Sequence, residues 1–165
     1  MRASLILLTL ALAAWPVRAA TFYFVRHAER AGEMSADPPL TETGAARARE
    51  LARTLKDARV TAIFVTEYQR TKKTAAPLAA KLGIDPVVLA GRDLEAAAAR
   101  LRTIAAGEET ILVVGHTNTI PQLVEKLGGG AIAPFEETEY DRLVVLVTSP
   151  KGGAALLTLR YGASQ

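Results

Sequence analysis

The chain contains two histidines, and each follows an apolar run. His27 stands after Phe22-Tyr23-Phe24-Val25-Arg26, and His116 after Ile111-Leu112-Val113-Val114-Gly115. A neutral imidazole is a nucleophile and a hydrogen-bonding group near physiological pH. Arg26 adjoins the first histidine, and Arg70 follows Thr66-Glu67-Tyr68-Gln69 at the end of another apolar run. The planar guanidinium fork stays charged and grips two oxygens of a phosphoryl group together. The chemistry these types suit is phosphoryl binding or transfer. Each residue alone has a plainer role: a histidine in a strand-end loop, or Arg70 paired with Glu67 on a helix surface. Spacing by itself does not join Arg70 to the histidines.

Other chemistries find no residues. With no cysteine, there is no disulfide framework, thiolate metal site or thiol nucleophile. Two histidines without cysteine are too few for most structural zinc sites, and no metal or cofactor is expected. Ser4, Ser35, Ser149 and Ser164 lie outside any Gly-x-Ser-x-Gly elbow, and no Walker A loop occurs. Gly128-Gly129-Gly130 lacks the spacing of a dinucleotide fingerprint. No basic stripe interleaved with aromatics appears, so no nucleic-acid partner is expected.

The elements that must position these residues follow from hydrophobic periodicity. Residues 21–26, 60–65 and 110–115 read as buried strands, and 86–90 as a short one. Helices are expected from Thr43, whose hydroxyl would cap the first turn, to about Asp57, and over 68–82, ending at Gly83. Pro77 is expected to bend or divide the second of these. Further helices are expected over 92–106 and 120–127. Residues 142–148 and 155–161 flank a Pro-Lys-Gly-Gly turn and read as a β-hairpin. The fold class is α/β, a three-layer α/β/α arrangement with a mainly parallel central sheet and an antiparallel edge hairpin. Both histidines then fall at carboxyl ends of strands, where open α/β sheets bind ligands.

The N-terminus reads as an address. Arg2 precedes the apolar Leu5 to Ala14, Pro16 breaks the run, and Val17-Arg18-Ala19 has the form of a cleavage site. The apolar stretch is about half the roughly 20 residues that a membrane span needs. Residues 1–19 are expected to be a signal peptide, cleaved after Ala19 or Ala20, and 20–165 the working domain. The membrane is then a transient partner, and the location periplasmic or secreted. The formal charge of the whole 165-residue chain is +3. Removing residues 1–19 takes away Arg2 and Arg18 and no acid, leaving +1. Global basicity leaves with the leader.

Arg26-His27-Ala28-Glu29 resembles the Arg-His-Gly-Glu signature of the histidine phosphatase superfamily, the phosphoglycerate-mutase-like proteins. Leu40-Thr41-Glu42-Thr43-Gly44 resembles the family's Leu-Thr-x-x-Gly segment, and Thr66 to Ala75 its Ser-x-x-x-Arg-x-x-x-Thr-Ala stretch. Gly115-His116 resembles its second Gly/Ser-His element. Four ordered blocks span most of the domain, and length and the Arg-His-Ala start are closest to small members resembling bacterial phosphohistidine phosphatases.

The resemblance implies a phosphatase acting on phosphomonoesters or phosphohistidine, with His27 forming a phosphohistidine. It implies Arg26, Arg70 and His116 as its catalytic partners, with Arg26, Arg70, His116 and Thr66 binding the substrate phosphate. The substrate would be a phosphorylated small molecule or a phosphoprotein. Export favours small esters or envelope sugar phosphates, as with the lipopolysaccharide heptose phosphate phosphatase of this superfamily. A catalytically silent phosphate- or phosphosugar-binding module is the alternative. The sequence departs from the pattern at Ala28 and Thr66, and leaves little room for the insertion that carries the mutases' general acid. Candidates for an acid or orienting group are Glu29, Asp93 and Glu95, the last two equally readable as solvated helix charges.

Overall fold

The computed structural model describes residues 19–32, 35–105, 107–150 and 152–162. The expected leader, apart from Ala19, lies outside the described residues. The chain runs β1 (Ala20–Arg26), α1 (Glu42–Thr54), β2 (Ala62–Thr66), α2 (Gln69–Leu82), β3 (Val87–Leu89), α3 (Leu94–Ile104), β4 (Thr110–Gly115), α4 (Thr119–Lys126), β5 (Arg142–Thr148) and β6 (Ala154–Arg160). The strands form one sheet in the order β3-β2-β4-β1-β5-β6. The first four are parallel to one another, β5 runs antiparallel to β1, and β5 and β6 form the antiparallel edge hairpin.

Both faces of the central strands are covered, which is why these strands are apolar without alternation. Phe22, Phe24, Phe64, Ile111 and Val113 pack with Ala97, Ala98 and Leu101 of α3 and Ile120, Leu123 and Val124 of α4. Val25, Ile63, Val65, Leu112 and Val114 face the other way, onto Leu51 and Ala52 of α1 and Ala75, Leu78 and Ala79 of α2. Successive side chains of each strand thus enter opposite cores. The architecture is the expected three-layer α/β/α.

One local expectation is corrected outright, and the other in its second alternative, division of the helix. The cap of α1 is Thr41, not Thr43: its Oγ1 accepts the Gly44 amide at 3.0 Å, and the helix has already begun at Glu42. Thr41 is favoured because its amide also bonds the Glu29 carbonyl at 2.9 Å, which holds it extended. Pro77 does not divide α2, which runs unbroken from Gln69 to Leu82. The carbonyl that loses its partner belongs to Lys73, an exposed residue that water reaches. Gly83 ends this helix as expected, at φ 67° in the left-handed region.

Gly44 has a different reason. A Cβ there would stand 2.1 Å from the Glu29 carbonyl oxygen, so only glycine lets α1 start against the loop leaving β1. That loop carries His27.

Candidate active site

Strand register brings the two histidines together. In the parallel β1–β4 pair Arg26 lies opposite Gly115, and the His27 amide bonds the Gly115 carbonyl at 3.0 Å. His27 and His116 therefore leave adjacent strands at one level. Their ring centroids are 5.3 Å apart at 63°. β2 lies on the other side of β4 and ends at Thr66, so the first turn of α2 delivers Arg70 to the same edge. Arg26, His27, Arg70 and His116 share the wall of one cleft of about 640 Å³.

The state of His27 is set by its surroundings. The residue is 4% exposed, and Nδ1 lies 2.8 Å from the Ala28 carbonyl oxygen. That oxygen only accepts, so Nδ1 carries the proton and Nε2 keeps its lone pair. Burial, reinforced by His116, Arg26 and Arg70, lowers the His27 pKa to about 3, against the raising effect of the Ala28 bond. The imidazole is neutral at physiological pH. The loop bearing it is tied to α2, since Thr74 Oγ1 accepts the Ala28 amide at 2.9 Å and donates to the Arg70 carbonyl at 2.7 Å.

His116 is anchored through Nε2, 2.9 Å from Thr66 Oγ1. Burial first, then the charges of Arg70 and Arg26, lowers its pKa to about 4, with Glu67 opposing. The Tyr68 ring stands edge-on to it at 5.4 Å. Tyr68 also stacks under the Arg70 guanidinium at 4.1 Å, and Asp37 lies 3.8 Å from the same guanidinium. Asp37 further accepts the Gln69 amide at 3.0 Å, capping α2 from the loop before α1. Tyr68 and Asp37 escape sequence reasoning because their partners lie elsewhere in the chain or carry no motif.

Arg26 is buried, and its terminal donors are engaged by the segment between α4 and β5. Nη1 donates to the carbonyls of Glu136 and Glu137 at 2.8 and 2.7 Å, and Nη2 to the Glu137 carboxylate at 2.9 Å. Tyr140 lies under it at 4.3 Å. The Nε atoms of Arg26 and Arg70 are buried without a hydrogen-bond partner among the described residues.

The remaining sequence candidates lie elsewhere. Thr66 sits behind His116 rather than among the residues lining the cleft, contacting the imidazole and Thr71. Glu29 turns away, its carboxylate held by Arg47 Nε at 2.8 and 3.0 Å. Asp93 is exposed and caps α3, accepting the Ala96 amide at 2.9 Å. Glu95 pairs with Lys126 on the outer surface. The carboxylates that line the cleft are Glu67 and Glu137, which sequence reasoning did not select. Glu67 Oε2 accepts the Gly91 amide at 3.1 Å, and its pKa is lowered chiefly by bonds to its own and the Gly91 amide. Arg30 and Arg92 add positive charge to the lining. Among the described residues no cluster of three or more His, Asp or Glu is placed to hold a metal ion.

A buried neutral imidazole with a free Nε2, flanked by guanidinium groups and a second imidazole, is an arrangement able to receive a phosphoryl group. Comparisons with known proteins give the following likenesses. Residues 22–92 match the family described as histidine phosphatase superfamily (branch 1). Among solved structures, the protein histidine phosphatase SixA complexed with tungstate is similar at a TM-score of 0.71 and 21% identity, over 85% of this chain and 96% of that one. The alpha-ribazole phosphatase from Shigella flexneri gives 0.69 and 17%, over 88% and 100%. A mycobacterial glucosyl-3-phosphoglycerate phosphatase gives 0.64 and 15%, over 89% and 100%. No curated protein matches the chain significantly.

Proposed function

We propose, from the histidine phosphatase superfamily match over residues 22–92, that the chain is a phosphatase working through a phosphohistidine on His27. The observation that carries this reading is the Nδ1–H bond to the Ala28 carbonyl, which leaves a neutral Nε2 lone pair in the cleft. Nε2 attacks phosphorus in line, the P–N bond forms, and the ester P–O bond breaks with its electron pair on the leaving oxygen. Arg26 and Arg70 bind the non-bridging oxygens and offset their charge in the transition state. To bind there, phosphate replaces the Glu137 carboxylate on Arg26. Water then attacks the phosphohistidine, releasing inorganic phosphate and restoring the imidazole. The proposed scheme calls on no metal or cofactor.

Leaving-group protonation shapes the substrate range. Glu67 is held as a carboxylate by amide donors, and Glu137 is paired with Arg26. Esters with good leaving groups and phosphoramidates such as phosphohistidine need the least help from an acid, so they are the favoured class. The neighbours named above act, by their names, on protein histidine, alpha-ribazole and glucosyl-3-phosphoglycerate phosphates. The leader-like residues 1–19 support export, with a periplasmic or secreted enzyme meeting small esters or envelope sugar phosphates.

The test is to trap an acid-labile phosphoenzyme with an aryl phosphate. Wild-type protein is expected to form it, and His27→Ala to lose both phosphoenzyme and turnover. Full turnover by His27→Ala sinks the proposal, and phosphate binding without any phosphoenzyme favours a silent binding module.

A further inference from the structure

Thr71 is fully buried on the first turn of α2 and lies outside the cleft lining. Its hydroxyl has one proton and two carbonyl acceptors within reach, Tyr68 O at 2.9 Å and Thr66 O at 3.1 Å. It accepts the Thr66 amide at 3.2 Å, and lies 3.0 Å from Thr66 Oγ1. With the Thr71 proton on a carbonyl, the Thr66 hydroxyl donates to the remaining lone pair of Thr71. Having spent its single proton, Thr66 Oγ1 can only accept, and the group facing it at 2.9 Å is His116 Nε2. The reverse order would turn the Thr71 proton away from two carbonyls toward one hydroxyl. Nδ1 of His116 has no hydrogen-bond partner among the described residues.

We propose that Thr71 is a positioning residue that, through Thr66, holds the His116 proton on Nε2 and leaves Nδ1 as an acceptor for the proton of a bound phosphate monoanion. His27 carries its proton on the opposite nitrogen, Nδ1, so both rings offer lone pairs to the cleft. A dianion would set bare oxygens against both. A monoanion brings one P–O–H, whose proton lies between that oxygen and Nδ1. Shifting it to nitrogen breaks O–H, forms N–H and leaves the total charge unchanged. The groups facing His116 are Arg26 and His27 from β1 and its exit, Thr66, Glu67, Tyr68 and Arg70 from the end of β2 and start of α2, and Thr119 from α4. The low pKa of His116, about 4, agrees with a ring that is neutral before phosphate arrives.

The tautomer stands apart from catalysis, whereas its consequence for the substrate rests on the phosphatase reading. Nitrogen NMR of the full chain reads the first. It is expected to show His116 protonated on Nε2 in wild type and Thr71→Ser, and a shift toward the Nδ1–H form in Thr71→Val. The pH profile of kcat/KM with an aryl phosphate reads the second. In wild type and Thr71→Ser it should fall about tenfold per pH unit once the ester loses its second proton, at about pH 6 or below. In Thr71→Val, where Nδ1–H can donate to the dianion, the fall from pH 6 to pH 8 should shrink from about 100-fold to under about 10-fold. A wild-type Nδ1–H tautomer, a tautomer unchanged in Thr71→Val, or a flat wild-type profile would overturn the proposal. Loss of the phosphoenzyme with the tautomer intact would instead strike the catalytic reading alone.

Discussion

Arg70 and Arg26 are the same residue type held in two different ways. Arg70 lies across Tyr68 near Asp37, with a half-buried guanidinium, while Arg26 is buried and bonded to the 136–137 backbone. Replacing Arg70 by lysine keeps the charge and loses the two-pronged grip. Its kcat/KM for an aryl phosphate should fall by about 10²–10³, the usual loss for one preorganised donor at a transition state. The same assay on Asp93→Asn and Glu95→Gln should change by less than about threefold, since one caps a helix and the other pairs with Lys126 on the surface. The candidate site residues and their strand-end positions were legible in the sequence. The partners that hold them were not: Asp37, Tyr68 and Glu137 become relevant only where distant segments meet.

At the level of elements, the segment between α4 and β5 reaches over the sheet edge and places Glu137 on Arg26. The Glu137 side chain is 84% exposed, so this pair is screened and contributes little to stability. On the proposed reading its effect falls on ligand binding, because a bound phosphate would compete for the same guanidinium. Glu137→Gln should tighten competitive inhibition by inorganic phosphate about two- to fivefold, with the denaturation midpoint unchanged. An unchanged inhibition constant would mean that the carboxylate yields at no cost. The opposite balance holds at Gly44, where α1 meets the His27 loop. Gly44→Ala forces the helix away from the Glu29 carbonyl and should destabilise the protein by about 1–3 kcal/mol in urea unfolding. Its loss of kcat at a temperature where the protein stays folded would report the displaced His27 loop. Strand and helix order followed from periodicity, whereas the α1 cap shifted to Thr41 because the Glu29 carbonyl, outside the helix, decides where the turn closes.

For the whole molecule, two histidines held as neutral rings, His27 buried and His116 half-buried, link stability to pH. Their folded pKa values, about 3 and about 4, lie below the usual 6.5. Between those limits the unfolded chain binds protons that the folded one does not, so stability is full above about pH 6.5 and falls as pH drops toward 3. The urea midpoint should decline over that window, and His27→Gln or His116→Gln should each flatten the decline. A midpoint insensitive to pH from 6.5 to 4 would show that the rings take up protons in the fold. The sequence by itself determined the α/β class, the order of elements, and two histidines and two arginines at strand or helix ends. Those follow from local periodicity and residue chemistry, which a linear chain displays directly. Only the tertiary structure decided that β4 inserts between β1 and β2 with Arg26 opposite Gly115, bringing His27 and His116 to 5.3 Å. Register, proton direction and the choice of Glu67 and Glu137 over Glu29, Asp93 and Glu95 as cleft carboxylates depend on which surfaces pack together, and packing joins residues that the sequence keeps far apart.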